Sequence, residues 1–143
     1  MIINNLELRI TNLGIMKLNE LLLDFLQEEG YRPKVDPEDG EITFKSEGLT
    51  YSYFPDENDD QYFRLMLPAI YDVNEDNKYE VLEAIDKTNF NIKVIKLYTV
   101  HDRSVWAALE ILMDTTPEMN EIVPRAIALL RHARTDFYQN LEE

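Results

Sequence analysis

Apolar positions along this 143-residue chain change their spacing several times, and the changes divide it into elements. Over residues 12–29, Ile15, Leu18, Leu21, Leu22, Phe25 and Leu26 recur at three-to-four spacing, which lines one side of a helix. Gly30 follows, where a left-handed residue commonly ends a helix. Extended runs come next: "YRPKVD", "EITFKS", "LTYSYF" and "YFRLMLPAIYD", joined by "PEDG", "EG" and "PDENDDQ". Runs so closely spaced, with Pro, Gly, Asp and Asn between them, predict an antiparallel meander. Pro68 has no N–H to give a ladder, so the last of these strands lies at an edge there, bulges, or ends by Leu67.

Helical spacing returns over 75–89, with Tyr79, Leu82, Ala84 and Ile85 assigned to the core. Two more strands, "NIKVIKLYTV" and "SVWAALEILMD", flank a turn at "HDR". A long helix over 117–141 ends the chain, with Val123, Ile127, Leu130 and Phe137 on its apolar side. Thr115 and Glu118 stand at capping-box spacing, and Pro124 either kinks this helix or marks its true first turn. The expected fold is α+β: a largely antiparallel sheet of five to six strands with three helices, in the order α-β-β-β(-β)-α-β-β-α. Residues 1–143 read as a single domain, with 1–11 a loosely attached N-terminal segment.

The closing hairpin departs from the simple alternation of a half-covered sheet. Val105, Ala107, Leu109, Ile111 and Met113 face one way, while Trp106, Ala108 and Leu112 face the other with only Glu110 among them. In the strand before, Ile95 and Leu97 oppose Ile92, Val94, Tyr98 and Val100. A sheet apolar on both sides needs cover on both. Either the helices cover both faces, or they gather on one and leave the second as a dimer or partner surface.

Composition narrows the function classes. Hydrophobic residues make up 45% and charged residues 29%, as in an ordinary globular domain. Twenty-eight acids against fourteen bases give a formal charge of −14, which repels a phosphate backbone and disfavours nucleic acid. With no cysteine there are no disulfides, thiolate zinc sites or cysteine nucleophiles. No run reaches the ~18 apolar residues of a membrane span and "MIINNLELRI" lacks a signal-peptide pattern, so the expected location is cytoplasmic.

The sharpest motif is "DVNEDNKYEVLE". Asp72, Asn74, Asp76 and Glu83 take the ligand positions of a calcium loop, but Asn77 stands where its glycine belongs, and the segment before it reads as strand. Acids and amides at a helix start explain the same residues more simply. Asp56, Asn58 and Asp60 alternate similarly in a hairpin loop, with Leu67 where a twelfth ligand would be. "HDRS" sets a histidine, an acid and a hydroxyl side by side, too close in one turn for the hydrogen-bond chain of a triad. The four glycines form no phosphate loop or dinucleotide fingerprint, and no motif calls for a cofactor.

The element order, with "FLQEEGYRPKVDPEDGEITFKSEGLTYSYF" and "LEAIDKTNFNIKVIKLYTVHDRSVWAALEI", resembles the YbjN family and the wider group with a type III secretion chaperone-like fold over residues 14–140. The resemblance implies a small acidic dimer that holds partner segments on apolar sheet and helix surface, and it brings no catalytic residues. The expected function is therefore a non-enzymatic, homodimeric module that binds a protein or peptide, with Trp106, Leu112 and Tyr98 as contact residues. The alternative is a small-ligand or calcium-sensing domain built on Asp72, Asn74, Asp76 and Glu83.

Overall fold

The computed structural model describes residues 17–114 and 117–142. The N-terminal segment 1–11, the first turns expected for the opening helix, and Thr115 of the capping box lie outside the described residues. Within them the chain forms α1 (Leu18–Glu28), β1 (Lys34–Val35), β2 (Ile42–Ser46), β3 (Leu49–Tyr53), β4 (Tyr62–Asp72), α2 (Lys78–Asn91), β5 (Ile95–Val100), β6 (Ser104–Leu112) and α3 (Met119–Glu142). The strands make one sheet in the order β1-β2-β3-β4-β6-β5, every neighbouring pair antiparallel. The expected class and element order are those observed.

Local chemistry sets the corners. The N–H of Tyr31 donates to the carbonyl of Leu26 at 2.9 Å and that of Gly30 to Gln27 at 3.2 Å, a Schellman closure of α1 with Gly30 at φ +88°. Glu47 and Gly48, at φ +49° and +83°, form the two-residue turn whose twist matches the β2–β3 hairpin. Pro68 is resolved as a bulge. β4 advances from Leu67 to Tyr71 while β6 moves only from Ala107 to Val105, and Ala69 absorbs the extra length at φ +50°.

All three described helices pack on one face of the sheet, where Phe44, Tyr51, Phe63, Leu65, Leu97 and Val105 meet Leu22 and Leu26 of α1, Val81 of α2 and Leu130 and Phe137 of α3. Each fully buried side chain of this size contributes ~1.5–3 kcal/mol, so this layer holds the fold together. Pro124 lies inside α3, where its missing N–H frees the carbonyl of Asn120; both residues are exposed, so water can take that acceptor.

Two core assignments on α2 are corrected. Tyr79 and Leu82 are 73% and 44% exposed, and the buried stripe of α2 is Val81, Ala84, Ile85 and Thr88. At ~100° per residue Tyr79 lies on nearly the opposite side of the helix from Val81. Burial of Thr88 fixes the stripe: its hydroxyl donates to the carbonyl of Ala84 at 2.7 Å and accepts from Asn140 of α3 at 2.9 Å.

β5 is an edge strand, and α2 blunts it. Asn89 accepts the N–H of Leu97 through Oδ1 at 2.8 Å and donates Nδ2 to its carbonyl at 3.1 Å, standing in for a further strand. Asn89→Ala is expected to lower the unfolding free energy in urea by about 1–2 kcal/mol, since it strands two main-chain groups that water only partly reaches. Asn89→Asp, which keeps the acceptor and loses the donor, should fall between.

Candidate functional site

Because successive strand residues point to opposite faces, the residues between those of the core gather on the far face, against which none of the described helices packs. β6 contributes Trp106, Ala108, Glu110 and Leu112, and β4 contributes Tyr62, Arg64 and Met66. Tyr98 and Lys96 of β5 stand opposite Trp106 and Ala108.

The centre of this face is charged. Arg64 and Glu110 are cross-strand partners, and the Glu110 carboxylate accepts a hydrogen bond from the Tyr62 hydroxyl and pairs with the Lys96 ammonium. The Arg64 guanidinium lies 5.5 Å from the Phe54 ring centroid and 5.6 Å from that of Tyr62. Its Nε is buried with no hydrogen-bond partner among the described residues. Burial acts to raise the pKa of Glu110, but the hydrogen bonds from Lys96 and Tyr62 and the charges of Lys96 and Arg64 outweigh it and hold the carboxyl below its ordinary value of 4.5. Burial, then the bond to Glu110, pushes Tyr62 up to about 12.

Aromatic residues flank that centre. Trp106 is half-buried, its ring 6.3 Å from that of Phe54 and its indole N–H donating to Ser104 Oγ at 3.0 Å. Tyr98 lies beside it across the ladder, with the Lys96 ammonium 5.6 Å from its ring. Leu112 is 74% exposed at the far end of β6, opposite Tyr62. It lies six residue steps along β6 from Trp106, ~20 Å, so Trp106 and Tyr98 form one patch and Leu112 another. Phe54, Tyr62, Arg64 and Lys96 also belong to this face and were not singled out from sequence. The alternation of Tyr62, Arg64 and Met66 through "YFRLML" was the available signal, but which face they shared depended on a register that only the pairing supplies.

The acidic twelve is placed differently. Asp72 ends β4, and Asn74 Oδ1 accepts the N–H groups of Asp76 and Asn77, both at 2.9 Å. Asn77 returns the contact, accepting the Asn74 N–H at 2.8 Å and donating to the Asp72 carbonyl at 3.0 Å, just before α2 begins. These bonds organise a strand-to-helix turn, while Glu83 is exposed further along α2. No three His, Asp or Glu side chains gather in a metal-holding group among the described residues. In the other acidic loop the Asp56 and Asp59 carboxylates accept N–H groups two residues on, at 2.9 and 3.0 Å. In "HDRS", Asp102 pairs with Lys78 at 3.2 Å and Ser104 holds the Trp106 indole, so neither serves His101. His132 pairs with Asp136 at 3.3 Å on α3. No described helix is long and apolar enough to cross a membrane.

No protein-family model matches the chain, and no curated protein matches it in sequence. Solved structures do. An uncharacterized protein from Methanothermobacter thermautotrophicus superposes with a TM-score of 0.62 at 15% identity, covering 87% of this chain and 96% of its own. YbjN from E. coli superposes with a TM-score of 0.61 at 9% identity, covering 85% of this chain and 89% of its own. The chain has a YbjN-like fold.

Proposed function

We propose that this protein is a non-enzymatic interaction module that self-associates as a homodimer through the far face of its sheet and binds protein partners there or beside it. The carrying observation is the asymmetry of the layers: every described helix lies on one face, while Trp106, Tyr98, Phe54 and Leu112 occupy the other. Aromatic residues and arginine are the side chains that anchor interfaces, and both kinds stand here in one patch.

Charge favours a second copy as the occupant. Copies of a chain with a formal charge of −14 repel one another, yet here Arg64 and Lys96 outnumber Glu110, so this is a surface on which like molecules can meet. The structural relatives are consistent with a binding role: E. coli YbjN is described as a proposed transcription regulator. The expected location remains cytoplasmic.

Sedimentation velocity across a wide concentration range tests the reading. The wild type should pass from monomer to dimer, and Trp106→Asp should weaken the dimer by about thirtyfold or more, the effect of removing an aromatic anchor. Leu112→Asp, at the periphery, should weaken it less. A protein that stays monomeric throughout, or a Trp106→Asp variant that is folded and dimerises as well as wild type, removes this face as the interface.

A further inference from the structure

The end of the sheet away from β5 carries a second feature. A concavity of ≈ 580 Å³ opens between the segment at 30–32 and β2, lined by Arg32, Lys34, Lys45, Thr43, Tyr31 and Phe44 among others, with no acid in its lining. Acids outnumber bases two to one in this chain, so three bases and no acid in one hollow is a local inversion of its charge. None of the three bases has an ion-pair partner among the described residues, although Lys78, Lys96 and Arg131 do. The partly exposed Tyr31 ring supplies an aromatic wall, backed edge to face at 5.4 Å by the buried Phe44 ring.

The strand beside this hollow is open. β1 pairs with β2 only through Lys34↔Thr43 and Val35↔Ile42. The Asp36 N–H donates to Glu41, so the residues of β2 that bond toward β1 are 41, 43 and, beyond the end of β1, 45. The main-chain N–H and C=O of Lys45 therefore face the hollow with no backbone partner from β1. Pro33 offers no N–H on the outer side of β1, which leaves this stretch of β2 as the place where an incoming chain can pair.

We propose that this hollow is a docking site for an extended acidic peptide segment, which pairs its main chain with Lys45, sets carboxylates against Arg32, Lys34 and Lys45, and rests an apolar residue on Tyr31. Strand addition uses this combination, with main-chain bonds for affinity and side-chain pockets for selection. The overall negative charge does not forbid it, because screening over ~8 Å at physiological salt leaves the local field in control. The site lies at the β2 edge, three strands from Trp106 in the sheet order, so it stands or falls independently of the proposed dimer.

The probe is a fluorescein-labelled ten-residue peptide alternating Glu with Val and Tyr, titrated by anisotropy beside its counterpart with Gln in place of Glu. At low salt the Glu peptide should bind about tenfold tighter than the Gln peptide, and the gap should close at high salt. The double variant Arg32→Glu/Lys45→Glu should abolish the preference. Lys93→Glu/Arg125→Glu, an equal charge change on exposed residues near β5 and α3, should leave most of it. Both pairs are exposed, so folding is not at stake. Equal binding of the two peptides, equal loss in both double variants, or competition by inorganic phosphate at the peptide's own concentration would each overturn the proposal, the last by showing a small-anion site.

Discussion

Phe137→Ala is expected to remove about 3–5 kcal/mol of stability, the cost of deleting a wholly buried aromatic ring and leaving the space behind. A domain of this kind has ~5–15 kcal/mol in all, so one substitution in α3 should bring the protein close to unfolding. The ring sits among others, 5.6 Å from Tyr71 at an interplanar angle of 71° and 5.9 Å from Tyr138 at 62°. Tyr138 in turn donates its hydroxyl to the carbonyl of Ile70, inside the bulge that Pro68 opens, so the ring couples the last helix to the irregular part of β4. Urea unfolding should show the midpoint falling with the slope unchanged, because the surface exposed on unfolding is nearly the same. Phe137→Leu should lose far less, being closer in volume. A Phe137→Ala loss under 1 kcal/mol would mean that α3 is not seated on the sheet as described.

That dependence on α3 was legible in the spacing of its apolar residues, and so were the strands, because turn chemistry punctuated them. "EG" between two alternating runs allows little but a tight hairpin, and Gly30 after a helical stripe allows little but its end. α2 was harder. Its apolar residues lie on more than one side, and the residue that decides the buried stripe, Thr88, is polar and buried only because Ala84 and Asn140 satisfy its hydroxyl. Periodicity counts apolar residues and so does not register a polar one that is hydrogen-bonded into the core.

The far face was half legible. Trp106, Ala108 and Leu112 could be assigned to one side from alternation alone, and the structure places them there. The open question of cover is answered for the described helices: they gather on one face. Sequence could not show that Glu110, the lone acid of that run, meets Arg64, Lys96 and Tyr62. Those partners come from β4 and β5, and their meeting depends on two registers and a bulge. What reads in one dimension as an apolar strand with one interruption is in three a charged centre ringed by aromatics.

Glu110→Gln is the measurement that weighs this centre. The amide keeps the shape and can still accept from Tyr62, but it leaves Arg64 and Lys96 without their anion, so a loss of about 2 kcal/mol at neutral pH is expected, the scale of hydrogen bonds to a charged group. The Lys96 share of that is small, because the lysine side chain is 57% exposed while that of Glu110 is 20% exposed, and water screens the pair. The pH dependence carries the stronger test. The groups facing Glu110 are Tyr62, Arg64 and Lys96, and its charge also reaches Tyr98. The carboxyl titrates below 4.5 in the folded chain, so the unfolded chain takes up its proton first as the pH falls. The stabilisation from Glu110 is thus fully present above that value and is lost as the pH drops through the folded one. Wild type and Glu110→Gln should differ by a constant amount from pH 8 to pH 6 and converge on acidification below 4.5. Differences between the two proteins cancel the protonation of the other acids, so a gap that stays constant or widens in acid would mean that Glu110 is not held ionised by its neighbours.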